Sequence, residues 1–117
     1  MSVVGSGGVA YVFPGQGAQH VGMGADLYER SEGARAVFKM TNEACDDDIA
    51  SLCFYGPADA QRPTQNQQCA IVAVSLASFA MFNEALSCTG AALSEDHPIA
   101  VRAVAGHSVG MWAAVTV

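Results

Sequence analysis

Val104-Ala105-Gly106-His107-Ser108-Val109-Gly110-Met111-Trp112 is the stretch on which the fold turns. An apolar run, Ile99 to Val104, enters Gly-x-Ser-x-Gly, and a helix-compatible run, Met111 to Val117, leaves it. That order is the layout of a nucleophile elbow, in which a serine sits on a tight turn between a strand and a helix. The turn closes only if its neighbours carry little bulk, and Gly106 and Gly110 supply the space. Ser108 then projects its hydroxyl above the sheet edge. The main-chain N–H of Val109, next in sequence, is placed to face negative charge that develops there.

Upstream, Val9-Ala10-Tyr11-Val12-Phe13 is a short continuous apolar run rich in β-branched and aromatic residues. It reads as a strand buried on both faces, as in a parallel sheet. Pro14-Gly15-Gln16-Gly17 ends it, because proline cannot continue a central ladder. The Gln16 loop should emerge at the same sheet edge as the elbow. It is no phosphate loop, since Gly-Lys-Ser/Thr is absent, and no dinucleotide fingerprint.

Between the strands the pattern is helical. Gly22 to Glu29 is short and helix-compatible, and Ser31 caps a helix running to about Cys45 with Ala36, Val37, Met40 and Ala44 on one face. Asp46-Asp47-Asp48 caps a segment from Ile49 to Tyr55, and Gly56-Pro57 and Arg62-Pro63 bound a loop. Thr64 caps a long helix from Gln65 to about Leu86, apolar on nearly every face and expected to be buried on most sides. Strands alternating with helices make an α/β chain with a mostly parallel sheet. Two strands do not complete a sheet, so further strands from the remainder of the domain or self-association of the chain are expected to cover its edge.

Bulk properties narrow the function. The 117 residues suit one domain, with 51% hydrophobic and 14% charged residues. Eleven acids against five bases give a net charge of -6, and no basic stripe or aromatic ladder indicates a nucleic-acid partner. Met1 to Gly8 reads as a flexible lead-in without signal-peptide character, and 9–117 as one structural unit. The longest apolar run, Cys69 to Phe82, has 14 residues and falls short of a bilayer span, so no membrane role is expected. Cys45, Cys53, Cys69 and Cys88 form no C-x-x-C pair; they read as free thiols in a reducing cytoplasm, with no metal site.

Three separated motifs carry a family resemblance. Val12-Phe13-Pro14-Gly15-Gln16-Gly17-Ala18-Gln19 with Val21-Gly22-Met23-Gly24 resembles the N-terminal signature of acyl-carrier-protein S-malonyltransferases and of the acyltransferase domains of polyketide and fatty acid synthases. Thr64-Gln65-Asn66-Gln67-Gln68-Cys69-Ala70 resembles the family's T-x-x-x-Q-P-A, and Gly106-His107-Ser108-Val109-Gly110 its G-H-S-L-G. The likeness covers the first part of the family's domain, less than half of it. It implies an α/β-hydrolase-like acyltransferase core with the second half and the small subdomain missing.

The resemblance also implies the chemistry. Ser108 would carry malonyl as an ester between coenzyme A and the phosphopantetheine thiol of an acyl carrier protein, with no bound cofactor. Gln16 and Val109 would supply the oxyanion N–H groups, and Gln68 would lie near the site. The family's histidine base and carboxylate-binding arginine lie beyond Val117, so the isolated chain is expected to be inactive or nearly so. Met111-Trp112 stands where the family has Glu-Tyr, and Cys69 where it has proline. A small aliphatic Val109 resembles malonyl-selective members. His20, His97 and His107 are poor substitutes for the base: His107 should point to the opposite face from Ser108, and His97 lies at the far end of the strand. The alternatives are a non-catalytic interaction module that keeps half the fold, and a serine hydrolase.

Overall fold

The computed structural model describes residues 8–88 and 101–117. Strand β1 (Val9–Phe13) is followed by α1 (Ala25–Arg30), α2 (Glu32–Cys45), α3 (Ile49–Tyr55), a 3-10 turn (Ala58–Gln61), α4 (Thr64–Cys88), β2 (Val101–Gly106) and α5 (Gly110–Thr116). The two strands pair in parallel, Ala10 opposite Ala103 through to Phe13 opposite Gly106. Between Val9 and Ala10 the register skips Arg102, so the residue out of keeping with its apolar strand sits at an irregularity in the ladder. Parallel pairing sends both strands out at one carboxyl edge, which brings the loop after Phe13 beside the turn after Gly106.

The helices form where local chemistry directs them. Ser31, in extended conformation, caps α2 by accepting from the Ala34 N–H at 3.0 Å. Asp48 caps α3 by accepting from the Ser51 N–H, also at 3.0 Å, and the Ser51 amide and hydroxyl hold its carboxyl below the usual carboxylate range. α2 ends where Asp46 adopts a left-handed conformation, φ 50°.

The apolar centre lies among the helices. Phe38 and Cys53 are fully buried with Ala34, Ile49, Ala70, Ala73 and Ala77, and the small residues of α4 let α2 approach closely. Phe38 meets Phe54 edge to face at 5.0 Å, and Phe54 meets Tyr28 at 5.3 Å. The sheet is fastened to α4 by Tyr11 and Phe13, whose rings meet Phe79 at 5.4 and 6.5 Å.

Several expectations need correction. The buried face of α2 is Ala34 and Phe38, with Val37 packed beside it; Ala36, Met40 and Ala44 are exposed, because Phe38 turns toward the small residues of α4. The first helix begins at Ala25, after a turn over residues 21–24 in which Gly24 takes φ 82°. β1 is covered on one face only: Phe13 is buried while Val12 is 65% exposed, since α4 packs on a single side. α4 alternates buried and partly exposed positions instead of being enclosed. Thr64–Ser87 is also long and apolar enough, by length and composition, to cross a bilayer; counting only the uninterrupted run had placed it below that length. One face of it packs on α2 through Ala70, Ala73 and Ala77, and Phe79 meets β1.

One carboxylate joins the two longest helices. Glu84 accepts from the Ser31 hydroxyl at 2.7 Å and from the Gly33 N–H at 2.6 Å. These donors, Ser31 first, hold its carboxyl below the ordinary 4.5. A carboxyl depressed on folding stabilises the fold above its unfolded value, and that contribution is lost as pH falls through the folded value. Wild-type stability in urea should therefore drop more steeply than that of Glu84→Gln between about pH 5 and about pH 2, and parallel pH profiles would contradict the assignment. Ser31→Ala should cost about 1 kcal/mol or more at neutral pH, because it removes both the cap and a Glu84 partner.

Candidate active site

β2 delivers the chain to Gly106, and the turn over residues 107–109 reverses it into α5. Ser108 takes φ 54°, a left-handed conformation that costs a non-glycine residue roughly 1–2 kcal/mol. The strain is held by its surroundings. The Gly110 N–H donates to the His107 carbonyl at 2.9 Å, and the Met111 N–H to the Ser108 carbonyl at 3.1 Å. Val109 and Gly110 are buried beneath the turn, while Ser108 is exposed above it.

The elbow is clamped to the loop after β1 through main chain. The His107 N–H donates to the Phe13 carbonyl at 3.1 Å, extending the parallel ladder one residue past the strand. A side chain at Gly110 would overlap the Phe13 and Pro14 carbonyls, and one at Gly15 would overlap the His107 carbonyl and stand 3.0 Å from the Ser108 Cβ. At Gly106 a side chain would strike the Gly110 main chain. Gly15 of Pro-Gly-Gln-Gly and Gly110 of Gly-x-Ser-x-Gly are thus two halves of one contact. It sets the Gln16 loop directly against the serine turn.

Within that loop the Gln16 side chain donates to Gln67 Oε1 at 2.8 Å, and Gln67 in turn donates to the Arg62 carbonyl at 2.7 Å. Gln19 accepts from the Gly17 N–H at 2.8 Å. With its side chain engaged, Gln16 has its main chain held beside the elbow. The N–H groups of Gln16 and Val109 donate to no described residue, which leaves two main-chain donors at the edge where Ser108 stands. Together a strained exposed hydroxyl and two such donors suit attack on a carbonyl carbon and stabilisation of the resulting oxyanion.

The structure brings Ser108, Val109 and Gln16 to one edge and leaves Gln68 exposed on α4, where the helix presents Gln67 to the loop. Two adjacent glutamines head the helix, and the 3.6-residue period does not separate them: each lies on a stripe that continues to residues facing β1, Val74 and Ser78 for Gln67, Ser75 and Phe79 for Gln68. His107 is exposed, and its Nδ1 packs close to Gly15. His20 lies with Nδ1 3.5 Å from the Ala18 carbonyl. No described residue hydrogen-bonds the Ser108 hydroxyl, and no metal-binding group of three or more ligands occurs among the described residues. His97 lies outside the described residues.

A parallel α/β scaffold with a serine elbow at its carboxyl edge defines the class as an α/β acyltransferase or hydrolase. Comparison with known proteins makes the assignment specific. The acyl transferase domain family matches residues 10–117, and the chain belongs to that family. It is 34% identical over 107 residues to the malonyl CoA-acyl carrier protein transacylase of Bacillus subtilis, covering 92% of this chain and 30% of that protein. It is 36% identical to a probable mitochondrial malonyl-CoA-acyl carrier protein transacylase of Drosophila melanogaster, covering 85% of this chain and 24% of the relative. Among solved structures, the acyl-carrier-protein-S-malonyltransferase of Bartonella henselae superposes with a TM-score of 0.77 at 37% identity, over 92% of this chain and 32% of that one. The chain therefore spans about a third or less of the length of these relatives.

The clamp carries a prediction. Gly110→Ala places a methyl group against two carbonyl oxygens of β1 and its exit loop, which have no freedom to withdraw without breaking the ladder. It should destabilise the chain by about 1–3 kcal/mol in urea unfolding. Gly17→Ala, at φ 100° with open surroundings, leaves that clamp alone and shows the cost of backbone strain without steric overlap, so Gly110→Ala should cost more.

Proposed function

We propose that this chain is the nucleophile-bearing part of an acyltransferase that moves malonyl from coenzyme A to an acyl carrier protein. The observation that carries the reading is the elbow itself: Ser108 at φ 54°, exposed, with the Gln16 loop packed against it through Gly15 and Gly110. In this reading the Ser108 Oγ attacks the thioester carbonyl of malonyl-CoA and its proton passes to a base. The N–H groups of Gln16 and Val109 receive the oxyanion, and the carbon–sulfur bond breaks to release coenzyme A. The resulting ester on Ser108 is attacked by the phosphopantetheine thiol of the carrier protein, which regenerates the serine hydroxyl.

Support for the substrates comes from the relatives, whose names specify malonyl-CoA and acyl carrier protein. One solved neighbour, a malonyl-transacylase in complex with its type II polyketide synthase acyl-carrier protein, superposes with a TM-score of 0.72 at 30% identity. The reading places the protein in fatty acid or polyketide synthesis, in the cytoplasm. Among the described residues no imidazole reaches Ser108, so the base and the group that binds the malonyl carboxylate are assigned to the remaining two-thirds of the domain. The 117 residues alone are expected to transfer malonyl poorly.

The test is complementation. The chain is mixed with the C-terminal two-thirds of the Bacillus subtilis relative and malonyl-CoA, and the mass of each polypeptide is measured. The expected result is malonylation of this chain at Ser108, abolished by Ser108→Ala. Rapid labelling of the chain alone would show that its own residues complete the site. A wild-type chain left unlabelled in a complex shown to assemble would favour the non-catalytic module, which Met111 and Trp112 on the exposed face of α5 support. Within the active complex, Gln67→Ala frees the Gln16 side chain and should lower the acylation rate more than Gln68→Ala.

A further inference from the structure

The first turns of α4 carry a second feature outside the acyl-transfer site. Cys69 stands where the family resemblance leads one to expect proline, and its Sγ lies 2.7 Å from the Sγ of Cys45, the last residue of α2. Two sulfurs 24 positions apart in sequence are thus closer than an ordinary sulfur–sulfur contact. A disulfide needs about 2.05 Å, so bonding requires a movement of well under 1 Å. Both side chains are half-buried, which leaves a route for a small reagent, whereas Cys53 is wholly enclosed in the helical core.

We propose that Cys45 and Cys69 are a reversible dithiol–disulfide pair that cross-links the end of α2 to the start of α4. The oxidant is a low-molecular-weight disulfide of the glutathione class. The Cys45 thiolate attacks one sulfur of that disulfide, forms a mixed disulfide and releases one glutathione thiolate, which takes up a proton. Cys69 then loses its proton to solvent, and its sulfur attacks the Cys45 sulfur and expels the second glutathione. Two protein thiols are oxidised, and one glutathione disulfide is reduced to two thiols. Burial and the neighbouring Cys45 sulfur push the Cys69 thiol up to about 11, and the same link forms whichever of the two sulfurs enters first. Cys53, raised by burial to about 12, stays out of the exchange.

The cross-link would bear on the site through a short path. Cys69 is two residues from Gln67, which holds the Gln16 side chain at 2.8 Å, so fixing the head of α4 to α2 also fixes the anchor of the Gln16 loop. A cysteine pair of this kind in a reducing compartment belongs to the transient, redox-responsive class, not the structural one.

The experiment uses the whole 117-residue chain, equilibrated with oxidised and reduced glutathione under native conditions, acid-quenched, alkylated and cleaved after Asp and Glu. Those cleavages put each of the four cysteines on a separate peptide. The expected product joins the Cys45 peptide to the Cys69 peptide, with Cys53 recovered as the free thiol, and dithiothreitol reverses it. In urea the selectivity should disappear, because the fold creates the juxtaposition. Cys45→Ser and Cys69→Ser should each abolish the cross-link. Recovery of glutathione adducts on Cys45 or Cys69 without the intrachain link, or pairing of either with Cys53 or Cys88 under native conditions, would overturn the proposal.

Discussion

The structure depends on a main-chain contact between two turns. Parallel pairing of β1 and β2 brings both chain exits to one edge, and the His107 N–H continues the ladder onto the Phe13 carbonyl. From there the turns approach so closely that neither Gly15 nor Gly110 has room for a methyl group. A contact made by backbone is rigid in a way that a contact between flexible side chains is not, because its geometry is set by the ladder and not by rotamers. That rigidity is what holds Ser108 in a left-handed conformation it would otherwise leave.

The rest of the described chain acts as a brace for that edge. The helical core around Phe38 positions α4, and α4 holds the sheet through Tyr11, Phe13 and Phe79 on one side and the Gln16 loop through Gln67 at its head. Glu84 ties the far half of α4 to the start of α2, and Cys45 and Cys69 bring the two helices together at the opposite end. The helix is thus registered against α2 at two places before it reaches the loop. Its outer positions, with Val12 of β1 and Trp112 of α5, remain exposed apolar surface. In a chain that spans about a third of its relatives' length, that exposure fits a surface that the rest of an acyltransferase domain would cover.

Much of this is legible in the amino-acid sequence. The bounds of β1, the Ser31 and Asp48 caps, the start of α3 at Ile49 and the elbow at Ser108 each follow from short-range rules, in which a cap needs an acceptor and a tight turn needs glycine. What sequence reasoning misplaced depends on neighbours. Of the stripe Ala36, Val37, Met40 and Ala44 assigned to α2, only Val37 packs against the core; Phe38 is the residue that faces inward, because α4 offers small residues opposite it. Gln67 and Gln68 are equivalent by pattern, and only the path of the Gln16 loop distinguishes them. The covering of β1 on both faces was inferred from its composition, which reports how apolar a strand is and not what packs on it.

By itself, then, the sequence determined the order of elements, the nucleophile turn and the family, since these rest on residue types at fixed short spacing and on three motifs in order. Only the tertiary structure decided which side chain holds Gln16, that Gly15 and Gly110 serve one contact, and that Cys45 meets Cys69. Each of these is a pairing between segments distant in the chain. Such pairings are set by how α2, α4 and the two strands pack, and no local pattern encodes the phase and depth of that packing.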